Sequence, residues 1–402
     1  MSGATAVERE RLHATFADLC RVESPSGRER ACADHLAARL REMGIEVSED
    51  ATGPQTRSDA GNLIARIPGA GGPHGPSIFF CAHMDTVPLA APVEPVLRDG
   101  LWENAHEGIL GADNKSAVAI FVELARRFAT GEPPPVGLEF VFTTCEEVSL
   151  VGSAAFDTSQ LRSAFGFVFD QATPIGGVVV ASPTHYRIIG RLHGRAAHAG
   201  VRPEAGRSAI QAAARAVAAM ELGRLDDQTT ANVGLIEGGS AINVVPEHCV
   251  VTAEVRSLDD ARAAAVATEV VDRLQDGADA AECDLDVDLA RMFQGYRHRP
   301  SAPPVAVAER ALAACGHTPE RILSGGAADV NSFMVDGLPC VCLADGVQAN
   351  HTSGERVAAQ ALEDMLDVAL AIVEQSAAEL AGGDPVAADR GAGSHRAAEE
   401  ST

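Results

Sequence analysis

Short, unbroken apolar runs punctuate the first half of the chain: SIFFCA (77–82), LEFVFTT (138–144) and FGFVF (165–169), with the helix-length segment KSAVAIFVELARRF between the first two. Runs this short, alternating with helical segments, predict parallel strands buried in a sheet. IEVSED and NLIARI read as two further strands, followed by a flexible Gly69–Pro73 loop. Upstream, Leu12, Phe16 and Leu19 share one helical face. A Ser24-Pro25-Ser26-Gly27 turn follows, and Leu36, Leu40 and Met43 mark a second helix stopped by Gly44. Near residue 184 the rhythm changes. THYRIIGRLHG, TANVGLIEG, CVVTAEVRS and CDLDVDLARM read as strands, with helices over 206–222 and 260–275. The order βαββαβ is that of a ferredoxin-like sandwich. Beyond Pro300 the helix–strand pattern resumes through PPVAVAERALAACG, RILSGG and CVCLADG, ending in a helix over 354–380. The expected class is α/β: a mixed, largely parallel sheet flanked by helices, interrupted by an inserted ferredoxin-like α+β domain. The first layer takes residues 1–183 and 299–380, the insertion 184–298, and the tail 381–402, almost without large apolar residues, is expected to be disordered.

With 402 residues the chain exceeds one typical core, and 46% apolar residues are ample to fill two. A net charge of −24 would repel a phosphate backbone, which argues against nucleic acid as a partner. No run has the length of a membrane-spanning helix, and MSGATAVERERLH is too polar for a secretory signal. The chain is therefore expected to stay in the cytoplasm and off the membrane. Nine scattered cysteines, an odd number, do not form a disulfide framework. Cys340 and Cys342, on one strand face, and Cys145, beside Glu146, read as packed thiols. Lys115 is the one lysine, arginine supplying every other basic side chain. Inside Gly111-Ala112-Asp113-Asn114-Lys115, its compact ammonium is expected to approach a carboxylate cluster.

The strand ends carry the chemistry. SIFFCA runs into His83 and Asp85, LEFVFTT into Glu146 and Glu147, and FGFVF into Asp170; PCVCLADG precedes His351, and Asp113 stands at the mouth of a helix. Ligands of open parallel sheets gather beyond the carboxyl ends of the strands, so these groups should meet on one rim. Two imidazoles with three carboxylates suit two divalent cations about 3.5–4 Å apart if one aspartate is shared. Zinc fits mixed imidazole and carboxylate donors, with cobalt and manganese open. Glu146 and Glu147 are adjacent, and at a strand-to-loop bend both can face one cavity, one on metal and one handling protons. Asp85, two residues past His83, is placed to accept the second imidazole N–H.

In chain order, CAHMDTVP, ILGADNKSA, TTCEEVSLVGS, VFDQA and NHTSGE resemble the motifs of the di-zinc exopeptidases, the superfamily of aminoacylase, carboxypeptidase G2-like enzymes and peptidase T. GADNKSA and GRAAHAGVRPEAGRSAI (194–210) are most similar to the peptidase T-like branch. The resemblance implies that Asp113 bridges two metals, that His83 and Asp170 complete one site, and that Glu147 and His351 complete the other. It makes Glu146 the general base and later acid, with Asp85 orienting His83. It implies an inserted domain that closes as a lid or forms a homodimer. On that domain His198 would stabilise the oxyanion, while Asn243 and Arg256 bind substrate together with Gly325 and Gly326, near Asp329 and Asn331. The implied reaction is hydrolysis of short peptides, tripeptide aminopeptidase-like, by water activated between two metals. Two alternatives stand on the same scaffold: an amidohydrolase acting on N-acyl amino acids, and a non-catalytic binding relative. His198 and Asn243 also fit as turn residues, and Arg256 as a surface ion pair. Two departures concern substrate preference more than the metals: Asp113-Asn114 where many relatives have Asp-Asp, and GGAADVNSF, which lacks the usual Ser before the Asp.

Overall fold

A computed structural model describes residues 3–382. Nine strands form the main sheet. Its order is Glu46–Glu49, Leu63–Ile67, Gly137–Thr143, Ser77–His83, Gly166–Gln171, Cys340–Ala344, Gly177–Ser182 and Tyr296–Arg297, with Glu320–Leu323 also paired to Gly177–Ser182. The four central strands, from Gly137–Thr143 to Cys340–Ala344, run parallel. Their neighbours on both sides pair with them antiparallel. The sheet is thus mixed, and the carboxyl ends of its four central strands open on one rim.

The central strands lack polar alternation because both faces are covered. Every residue of Ser77–His83 and Gly137–Thr143 is buried. On one face lies the helix Ala112–Thr130, buried almost all round, as a helix enclosed between a sheet and other helices must be. Phe80 packs within 5.2–6.0 Å of the rings of Phe121, Phe140, Phe167 and Phe169 beneath that helix. The helices Ala6–Cys20 and Ala359–Gly382 join the same core, the first begun by a capping box between Thr5 and Glu8. A second cluster, with Phe79, Val168, Phe333 and Cys340, fills the opposite face.

The ferredoxin-like unit has its own antiparallel sheet, in the order Gly223–Asp226, Thr229–Gly238, His248–Ser257, Thr184–His193, Asp284–Phe293. The helices Ala209–Ala218 and Asp260–Ala280 cover one face over a separate core that includes Leu192, Val251 and Leu274. The structure corrects the sequence reading at three places. Tyr296–Arg297 pairs with Gly177–Ser182, so the chain has rejoined the main sheet before residue 298. The last helix continues to Gly382, and the rest of the expected tail, 383–402, lies outside the described residues. A small sheet of Pro95–Arg98, Leu101–Asn104, Val347–Gln348 and Arg356–Ala358 has strands of two to four residues, too short to leave a periodic signal. Among the described residues no helix is long and apolar enough to cross a membrane.

Because Phe80 joins four aromatic neighbours under the rim, Phe80→Ala is expected to cost about 3–5 kcal/mol, read as a lower urea midpoint at unchanged slope.

Candidate metal centre

His83 is the last residue of its strand and is 1% exposed. Its Nδ1–H donates to the backbone carbonyl of Asp85 at 2.9 Å, which leaves Nε2 facing the rim. Nε2 lies 3.1 Å from Asp113 Oδ1 and 3.5 Å from Asp170 Oδ1. The other oxygen of Asp113, Oδ2, lies 3.3 Å from His351 Nε2, which is 2.9 Å from Glu147 Oε2. Asp113 therefore turns one oxygen to each imidazole, standing between two groups: His83, Asp113, Asp170 and Asp113, Glu147, His351. These separations suit common cations, since two bonds of about 2.1 Å at a tetrahedral angle place donor atoms roughly 3.4 Å apart. Glu146 is nine-tenths buried, with its carboxylate near His83 and Glu147. Among the described residues no hydrogen bond or ion pair engages that carboxylate, whereas each of the five other groups has one.

Charge explains how the cluster behaves. Burial pushes the carboxyl groups of Glu146 and Glu147 upward and lifts Asp170 to about 8. Burial opposes the charging of His83, but the Asp170 carboxylate and hydrogen bonds to Asp113 outweigh it and hold the imidazole well above its ordinary value. Hydrogen bonding to Asp113 and Glu147 raises His351 to about 10. For Asp113 burial is likewise overcome, by hydrogen bonds from His351 and His83, and its carboxyl sits below the usual range. The rim is thus short of positive charge, a deficit that bound cations would fill.

The supporting contacts differ from the sequence reading. The closest acceptor of the imidazole N–H is the carbonyl of Asp85 and not its carboxylate, whose Oδ1 makes a longer contact with Nδ1 at 3.5 Å. The carboxylate accepts the backbone N–H of Glu146 at 2.9 Å and of Glu147 at 3.2 Å, and the Ser26 hydroxyl at 2.7 Å. Asp85 thus steers His83 through its carbonyl and the two glutamates through its side chain. Lys115 does not approach the carboxylates either. Buried, its ammonium donates to Ser24 Oγ and Val22 O beside Cys32 Sγ, and Ser24 donates to Met84 O next to His83. Burial pushes the Cys145 thiol up to about 12, as befits a packed and unreactive side chain.

The inserted unit contributes no residue to the cluster as it stands. His198 is exposed and accepts the Gly200 N–H within its own turn, and Asn243, also exposed, receives the Ala199 N–H on its carbonyl. Arg256 pairs with Glu254, lies over the Phe293 ring and donates to the Gly325 carbonyl at 3.3 Å, joining this unit to the Gly-rich loop. Gly326 accepts the Ser182 hydroxyl and, with Asp170, Tyr296 and Ser324, lines a small recess beside the rim. Two residues of NHTSGE escaped the sequence reading: Asn350, which donates to Asp113 Oδ2 at 2.9 Å, and Glu355, which accepts three amides before the helix of Asp113. The motif was visible, but nothing in its composition says which of its polar groups face inward.

An α/β sheet that brings two imidazole–carboxylate groups together at its strand ends defines a metallohydrolase. Comparison with known proteins agrees. Residues 62–181 match the model of peptidase family M28, and residues 185–282 that of the peptidase dimerisation domain. The Bacillus subtilis protein YqjE is 32% identical over 92% of this chain and 100% of its own. The structure of aminopeptidase PepT from Bacillus cereus is 35% identical, covers 92% of this chain and 99% of its own, and superposes with a TM-score of 0.83. A Staphylococcus aureus tripeptidase is 30% identical with the same coverage and a TM-score of 0.87. The chain belongs to the peptidase T-like branch of the di-zinc exopeptidase superfamily, and is a hydrolase of the metallopeptidase class.

Asp85→Asn would turn an N–H toward the amides that the carboxylate now accepts. A loss of about 10–100-fold in metal affinity or activity is expected, read by metal titration and by turnover.

Proposed function

We propose that the chain is a metal-dependent exopeptidase that hydrolyses short unblocked peptides, tripeptides among them. The observation that carries this reading is the free carboxylate of Glu146 beside two ligand groups sharing Asp113, on a chain similar to an aminopeptidase and a tripeptidase. His83 and Asp170 hold one divalent cation with Asp113, and Glu147 and His351 hold a second; zinc suits these donors, and cobalt or manganese would fit them too. Cations bound there would supply Lewis acidity and lower the pKa of a water molecule. Glu146 accepts the proton of the attacking water and returns it to the leaving amine as the peptide C–N bond breaks. Asp85 fixes where Glu146 points, through its hydrogen bond to that residue's amide.

The inserted unit acts as the lid and as the surface of a homodimer, in keeping with its match to a dimerisation domain. His198 stabilises the oxyanion once the unit closes, or when it reaches the rim from a second copy. Arg256 takes a substrate carboxylate by exchanging its pairing with Glu254, and Asn243, Gly325 and Gly326 line the pocket.

Chelator treatment should abolish cleavage of an unblocked tripeptide, and readdition of zinc or cobalt should restore it. Glu146→Gln should lower kcat by about 10²–10⁴-fold with metal content unchanged. Near wild-type turnover in that variant would remove Glu146 from the role, and cleavage of N-acyl amino acids in place of tripeptides would turn the assignment to a deacylase.

A further inference from the structure

The helix Ala112–Thr130 is kinked at its start, where Asp113 (φ −84°, ψ 100°) and Asn114 (φ −120°, ψ 30°) leave the helical region. Gly111 stands at its N-cap with φ 75° and offers no side chain to the free amides of the first turn. Asp113 directs both oxygens to the rim, Oδ1 toward His83 and Oδ2 toward His351 and Asn350.

The acceptor for the backbone amides of this stretch comes from far along the chain. Glu355 is 3% exposed. Its Oε2 accepts the N–H of Leu110 and of Gly111, each at 2.8 Å, and its Oε1 accepts the N–H of Asp113 at 2.9 Å. Among the described residues no arginine, lysine or histidine pairs with it. Its charge is met by these three backbone amides. The same short loop carries Asn350 and His351, so one segment fixes both the backbone of Asp113 and the imidazole on its far side.

We propose that Glu355 is a positioning residue of the metal centre: by accepting the amides of Leu110, Gly111 and Asp113, it fixes the main chain from which Asp113 turns both oxygens to the rim, to be shared between two cations. This rests on the reading of Asp113 as the shared ligand. Because both cations would use Asp113, loosening its backbone should weaken both together, unlike the loss of a ligand that serves only one.

The test is titration of the metal-free full-length protein with Co²⁺, followed by visible absorption and equilibrium dialysis. The wild type, Glu355→Gln and Glu355→Asp are compared with a control, Glu139→Gln. Glu139 is also 3% exposed and accepts the amides of Arg162 and Ser163 at 2.8 and 2.9 Å, but near the opposite end of its strand. The wild type should take up two ions. Glu355→Gln should weaken both by about 10–100-fold and change the cobalt spectrum. Glu355→Asp, which keeps the charge on a shorter arm, should fall between, and Glu139→Gln should bind as the wild type does. Unchanged affinity and spectrum in Glu355→Gln would overturn the proposal, as would an equal shift in Glu139→Gln. If Glu355→Gln does not fold, Glu355→Asp decides by the same criterion. A wild type that binds fewer than two ions would overturn the two-metal reading itself, and this proposal with it.

Discussion

A buried carboxylate needs hydrogen-bond donors or a cation, and around this rim the donors are chiefly backbone amides. Asp85 takes the amides of Glu146 and Glu147, Glu355 those of Leu110, Gly111 and Asp113, and Glu29 those of Gly27 and Cys145. All but the Gly27 bond join segments distant in sequence, and they fix main chain next to groups on the rim. Amides have advantages over side-chain cations here. They cannot swing away, they carry no full charge to compete with a bound metal, and they leave the ligands' own oxygens free. The one lysine fits this scheme, since it braces Ser24 and, through it, the Met84 carbonyl without touching a carboxylate of the rim.

Much of the rim was legible in the sequence because parallel strands deliver their carboxyl ends to one place. His83, Asp170 and the Glu146–Glu147 pair each follow an apolar run long enough to read as a buried strand. His351 and Asp113 could be named because they occur in motifs. What escaped was mostly contact across long sequence separations. That Asp85 would serve the amides of residues 146 and 147, or Glu355 those near residue 111, depends on loop geometry that leaves no periodic trace. The strand Gly177–Ser182 was also missed, although GVVVAS is apolar, because it follows Gly166–Gln171 too closely for a helical crossover to announce it.

The inserted unit reads differently because its sheet covers only one face. His248–Ser257 alternates buried and half-exposed positions, the period expected of an antiparallel sheet with helices on one side. Its core is separate from that of the main sheet, and Arg256 ties it to the Gly-rich loop. Two cores joined by polar contacts can change their relative placement at small cost, which the proposed closure of this unit over the rim would require.

The place of Cys340–Ala344 in the sheet bears on how the molecule is made. It lies between Gly166–Gln171 and Gly177–Ser182, filling a slot between strands that leave the ribosome long before it does. Roughly 160 residues separate it from them, and at about 5–20 residues per second the slot stands open for on the order of ten to thirty seconds. Meanwhile the inserted unit can fold on its own, while the nascent main sheet exposes two apolar strand edges. Open edges of this kind can pair wrongly, and the candidate ligand His351 emerges only after the strand that closes the gap.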